Sequence, residues 1–134
     1  MKKLLAMAML GCTLFTACGA QAQSSPAASN AAVYHSITPD EAKARMDSGD
    51  KITIVDVRTQ AEYDEGHIAN AIVIPNETID KTQPEQLPDL DAEILVYCRS
   101  GKRSKQASDK LVAMGYTKIY DFGGIIDWPY ETVK

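Results

Sequence analysis

The chain reads as an α/β protein built on a parallel sheet with helices on both faces. Three observations lead there. Short runs rich in apolar and β-branched residues, Ile52 to Val57, Ile72 to Ile74 and Ile94 to Tyr97, suit strands buried on both faces. Helix-start signals separate them: Thr38-Pro39-Asp40-Glu41 ahead of the first run and Thr59 with Glu62 after it. After the Ile94 run, Ala107, Leu111 and Met114 fall in one line at helical spacing, with Lys105, Asp109 and Lys110 off it. Strands that alternate with helices join in parallel, through crossovers that lay the helices on the sheet.

The elements follow in order. Val33 to Ile37 predicts a short strand. Thr38 then caps a helix, Pro39 occupies its first position, and Glu41 completes a capping box; the helix ends near Ser48, with Gly49 as its left-handed cap. Ile52 to Val57 is the next strand. Thr59 and Glu62 repeat the capping box and open a short helix that Gly66 stops. Ile72 to Ile74 is a brief strand closed by Pro75. Asn76 caps at most a short helix, because Pro84 and Pro88 break anything longer. The strand Ile94 to Tyr97 delivers Cys98 into a loop, and the helix after that loop ends at Gly115. Lys118 to Tyr120 forms the last strand. Gly123-Gly124 reads as a tight turn before a short helix that ends ahead of Pro129. No internal repeat is present.

The first 17 residues read as a targeting segment. Lys2 and Lys3 form a basic start, and Leu4 to Ala17 an apolar stretch too short to span a bilayer comfortably. Two processing outcomes stand open. Leu14 to Cys18 resembles a bacterial lipobox, in which Cys18 would be acylated and become the mature N-terminus. Ala20-Gln21-Ala22 is an ordinary A-x-A cleavage site, which would release a soluble periplasmic protein and discard Cys18. Residues 18–32 are Ala, Gln, Ser and Gly rich and lack periodicity, so they read as a tether that cannot bury enough surface to offset its ordering. Residues 33–134 then form one domain. Both outcomes place it in the bacterial cell envelope, touching a membrane only through a lipid on Cys18.

Charge narrows the partners. The formal net charge is −4; without Lys2 and Lys3, 12 of the 14 basic residues remain against 18 acidic ones, a net of −6. An acidic body argues against nucleic acid, which demands a basic face. Basic residues gather instead around Cys98, where Arg99, Lys102, Arg103 and Lys105 share one short segment, as suits a small anion. Cys12 leaves with the targeting segment and Cys18 is acylated or lost, so Cys98 is the only thiol of the mature domain. It has no partner for an internal disulfide in a compartment where disulfides persist. One cysteine cannot hold a structural zinc, and His35 and His67 lack metal-ligand spacing, so no metal or cofactor is expected. The domain is expected to be a monomer.

A strand, a tight loop and a helix therefore meet at one thiol. Unpaired N–H groups at a helix N-terminus form a cradle for an anion. Within that cradle, with Arg99 and Arg103 close in sequence, the thiolate of Cys98 is expected to be favoured and to act as a nucleophile. Duller readings apply to its neighbours. Asp56 and Arg58 either support the active loop or make a structural turn or ion pair. His67 is expected to satisfy backbone groups at a turn, Trp128 to pack in the core, and Lys102 and Lys105 to be solvated.

Several motifs together resemble one family. Asp56-Val57-Arg58, Glu62-Tyr63, Gly66-His67-Ile68, Ala71 and Ile74-Pro75 occur in its order and spacing; Cys98 to Ser104 resembles its active-site loop, and Gly123-Gly124 with Trp128 its closing motif. The family is the single-domain rhodanese-like sulfurtransferases, and the resemblance runs from about Tyr34 to Trp128. Ala69-Asn70 stands where the family more often has Pro-Gly. The resemblance implies a five-stranded, mainly parallel sheet flanked by helices. It also implies that Cys98 attacks the outer sulfur of thiosulfate or a similar anionic donor, keeps it as a persulfide, and passes it to cyanide or a thiol, in ping-pong fashion. Amides from Arg99 to Ser104 would hold the sulfur anion, with Gly101 permitting the turn. Arg99, Ser100, Gly101, Lys102, Arg103 and Ser104 would then form the donor site. A catalytically dead rhodanese-like binding or regulatory module is the alternative from another class. Cysteine phosphatases and arsenate reductases of similar fold need a longer loop with arginine at the sixth position after cysteine; here that position is Ser104.

Overall fold

The computed structural model describes residues 33–134; the targeting segment, the tether and Cys18 lie outside the described residues. Five strands form one sheet: β1 (Tyr34–Ser36), β2 (Ile52–Asp56), β3 (Ala71–Val73), β4 (Glu93–Cys98) and β5 (Ile119–Gly124). All pairings are parallel, in the order β1-β5-β4-β2-β3, so β4 is central. Three α-helices connect them: α1 (Pro39–Asp47), α2 (Gln60–Glu65) and α3 (Lys102–Met114). Single 3-10 turns cover Asn76–Thr78 and Ile125–Asp127.

Local chemistry sets the helix ends. Glu41 N–H donates to Thr38 Oγ1 at 3.1 Å while Thr38 N–H donates to the Glu41 carboxylate at 2.7 Å. Thr59 and Glu62 repeat this at 3.2 and 3.0 Å, so both capping boxes form and satisfy otherwise orphaned donors. Gly115, at φ 107°, closes α3 by donating to the carbonyls of Leu111 and Val112. At the Ala69-Asn70 turn, Asn70 takes the left-handed angle itself, φ 70°, one of the few non-glycine residues that does so readily.

Strand alternation builds two cores. On one face Val55, Ile94, Val96, Cys98 and Ile119 pack with Ala107 and Leu111 of α3. On the other, Ile54, Leu95, Tyr97 and Phe122 pack with Ala42 of α1, Tyr63 of α2 and Trp128. The expected five-stranded parallel sheet with helices on both faces is the observed architecture. One expectation is corrected: Gly123-Gly124 is not a turn after the last strand but its end. β5 runs on to Gly124, which pairs with Cys98 after a register shift between Val96 and Cys98. Side-chain pattern could not signal this, since two glycines offer no side chain to read.

Candidate active site

Cys98 is the last residue of the central strand, at the carboxyl end of the sheet, where parallel α/β folds carry their sites. Its parity turns it toward α3, and it is fully buried at the base of the loop Arg99 to Gly101. Gly101 donates its N–H to Cys98 Sγ, 3.0 Å away, and takes φ 105°, an angle that strains other residues, as the chain turns from the loop into the helix. Helix α3 begins at the next residue. Among the described residues this is the one hydrogen bond to the sulfur, against the expected set from Arg99 to Ser104.

The back wall of the loop is β5. A Cβ on Gly124 would lie 2.1 Å from the Arg99 carbonyl oxygen and 2.6 Å from Ser100 Cα, so only glycine lets strand and loop touch. Arg99 O also accepts from Ile126 N at 3.2 Å. Ser104 is buried, and its hydroxyl faces the carbonyls of Gly101 at 3.1 Å and Gly123 at 3.4 Å. It stitches the loop together.

The basic residues divide. Arg99 and Lys102 are exposed and make no ion pair among the described residues. Arg103 is forked onto Glu62 of α2, with bonds of 2.8 and 3.0 Å. Those bonds, with help from Thr59, hold the Glu62 carboxyl down at about 2, and they raise the Arg103 guanidinium above its ordinary range, with Cys98 among the lesser contributors. Lys105 pairs with Asp109 on the exposed face of α3, as a solvated residue does.

Behind the loop lies a buried polar knot. Asp56 is fully buried and Arg58 nearly so. One Asp56 oxygen accepts from Arg58 N–H and Nε at 2.9 Å each; the other accepts from an Arg58 terminal nitrogen at 2.7 Å and from Tyr97 O–H at 2.8 Å. Arg58 reaches on to Gly66 O at 2.7 Å, and Tyr97 Oη accepts from Ile68 N at 3.0 Å. Burial, reinforced by the Asp56 charge, raises the Tyr97 phenol above its usual value and keeps it a donor. Asp56 and Arg58 thus form an ion pair that fastens the α2–β3 turn to Tyr97, the neighbour of Cys98; they reach the loop through that strand and not by direct contact. His67 stacks on Tyr63 at 3.7 Å and pairs its backbone with Val133. A cavity of about 950 Å³ lies between α1, β2 and the C-terminal segment, with Met46, Ile52, Ile68 and Trp128 in its wall and Cys98 outside it. Among the described residues, no cluster of three or more His, Cys, Asp or Glu side chains could hold a metal ion.

A parallel five-stranded sheet with a glycine-turned loop folded over a cysteine at the end of its central strand defines the class. The rhodanese-like domain matches residues 38–129, and the chain belongs to that family. It is 35% identical to the thiosulfate sulfurtransferase PspE of Escherichia coli K12 over 80 residues, covering 60% of this chain and 77% of that protein. A sulfurtransferase of Allochromatium vinosum is also 35% identical, over 97 residues, covering 72% and 89% of the two chains. Among solved structures, a rhodanese with anions from E. coli superposes with a TM-score of 0.57 at 34% identity, over 63% of this chain and 99% of that one. A rhodanese-like domain protein from Staphylococcus aureus does so with a TM-score of 0.62 at 34% identity, over 72% and 93%.

Glu62, Tyr97 and Gly124 are the contributors that the reading of the sequence did not assign to the site. For Glu62 the capping spacing was visible, but its pairing with a residue 41 positions away was not.

Proposed function

We propose that this chain is a sulfurtransferase that carries sulfane sulfur on Cys98. Family membership and the names of its relatives support sulfurtransferase activity in general. The observation that carries the finer reading is Cys98 Sγ held at 3.0 Å by the Gly101 amide, under the N-terminus of α3. The Cys98 thiolate attacks the outer sulfur of thiosulfate, or of a similar anionic donor. The donor's S–S bond breaks, and sulfite departs with the bonding pair. The terminal sulfur of the resulting persulfide is then attacked by cyanide or by a thiolate, and the Cys98 thiolate returns. Each half is a simple displacement, so no general base is needed when the thiolate is present.

Arg99 and Lys102, exposed and unpaired with acid among the described residues, are cations available to draw in the anion. Arg103 is committed to Glu62 and acts on the loop by holding it to α2. The site's shape also weighs against phosphoryl transfer: Ser104 occupies the sixth position after the cysteine, with its hydroxyl facing backbone carbonyls. We further propose an envelope location, with the mature chain starting at Cys18 or after Ala22; intact mass of membrane-extracted material separates an acylated form from a cleaved one. The function is tested by thiosulfate:cyanide transfer and by intact mass after thiosulfate exposure. The parent should turn over and gain the mass of one sulfur atom, and Cys98→Ser should do neither. A parent inactive with several donors and without the added sulfur would sink the enzyme reading in favour of a binding module.

A further inference from the structure

Asp121 is a buried carboxylate on β5 that the chemistry above does not use. It is 5% exposed and has no cationic partner among the described residues. Burying such a group is unfavourable unless neutral donors compensate it. Two do. Tyr34 O–H donates to Oδ2 at 3.1 Å, and Gly123 N–H donates to Oδ1 at 3.0 Å. Burial and the Asp121 charge together push the Tyr34 phenol up to about 12, so it stays a donor.

The second bond leads toward the nucleophile. The Asp121 oxygen captures the Gly123 N–H and so anchors the peptide that leads into Gly123, which itself sits at φ 87°. In that conformation Gly123 O faces the Ser104 hydroxyl at 3.4 Å. Its Cα lies 3.6 Å from where a Cβ on Gly101 would stand, so the two glycine backbones lie against each other. Gly101 in turn supplies the amide that bonds Cys98 Sγ. A continuous set of contacts runs from carboxylate to Gly123, to Gly101 and Ser104, to the sulfur.

We propose that Asp121 is a positioning residue: through Gly123 it fixes the Gly101 amide against Cys98 Sγ. The proposal rests on Cys98 being the sulfur carrier. It assigns Asp121 no contact with donor or acceptor.

The test compares full-length Asp121→Ala, Asp121→Asn and Gly123→Ala with the parent. Readouts are kcat and KM for thiosulfate:cyanide transfer, and the rate at which iodoacetamide alkylates Cys98 at neutral pH. Loss of the Gly123 anchor should lower kcat about tenfold in Asp121→Ala, as misplacement of a catalytic group does, with KM for thiosulfate within about twofold. Cys98 alkylation should slow in parallel. Asparagine keeps an oxygen for the Gly123 N–H and should restore most of both rates. Gly123→Ala meets no atom within 4 Å, so its only effect is on the backbone angle, and it should reproduce the Asp121→Ala pattern. Should Asp121→Ala fail to fold, Gly123→Ala and Asp121→Asn decide alone. Parent-like kcat in Gly123→Ala, or an Asn variant as slow as the Ala variant, would overturn the proposal. A parent that alkylates but transfers no sulfur would overturn the sulfurtransferase reading, while the alkylation rates still decide on Asp121.

Discussion

Replacing Gly124 by alanine puts one methyl group where the Cys98 loop now rests. Gly124 has φ −121°, an ordinary extended angle, so alanine brings no conformational penalty and the whole effect is steric. The new Cβ would fall 2.1 Å from the Arg99 carbonyl oxygen, 2.6 Å from its carbonyl carbon and 2.6 Å from Ser100 Cα. All three are backbone atoms, and none can rotate aside as a side chain would. Contacts that close are repulsive, so strand and loop must part by about 1 Å. Overpacking of this kind typically costs about 1–3 kcal/mol. The larger consequence is catalytic. The atoms that must retreat adjoin Cys98 and Gly101, and displacement by about 1 Å commonly costs on the order of 100-fold in rate. The assay is steady-state thiosulfate:cyanide transfer, with a urea melt on the same protein. Gly124→Ala should keep a cooperative melt and lose roughly two orders of magnitude in kcat/KM. Parent-like turnover would mean that the Arg99 carbonyl does not lie against β5, and the account of the cradle's back wall would be wrong.

Other perturbations read other parts of the site. Asp56→Ala leaves Arg58 buried and unpaired, so unfolding free energy should fall by about 3–5 kcal/mol in a urea melt, and adding Arg58→Met should recover part of that loss. Glu62 has its carboxyl held at about 2, below its ordinary value of 4.5, so the stability it contributes is fully present above pH 4.5 and is lost as pH falls toward 2. Glu62→Gln should therefore flatten the fall in urea midpoint across that window; an unchanged acid limb would show that the fork on Arg103 is not made in solution. Leu111→Ala, in the core under α3, should cost about 2–5 kcal/mol without changing KM for thiosulfate.

Much of this molecule was legible one segment at a time. Both capping boxes use residues three apart, so Thr38 with Glu41 and Thr59 with Glu62 announced their helices. The apolar run ending at Cys98, followed by glycine and a helical stripe, placed the thiol at a strand end above a helix start. The extent of β5 was not legible, because Gly123 and Gly124 act through what they lack. Nor was the fate of the loop cations. Arg99, Lys102 and Arg103 look alike in a string of basic residues, yet only Arg103 finds Glu62 across the fold.

The sequence by itself determined the α/β alternation, the ends of the helices and the candidate nucleophile, since each depends on period, caps or turn residues within about one turn of chain. Tertiary structure alone decided the sheet order, with β4 between β5 and β2, and with it everything that meets Cys98 from outside its own segment. Gly124 against Arg99, Tyr34 on Asp121 and Asp56 under Tyr97 are contacts between segments that are adjacent only after the crossovers close. Their energies depend on distances that no local pattern encodes.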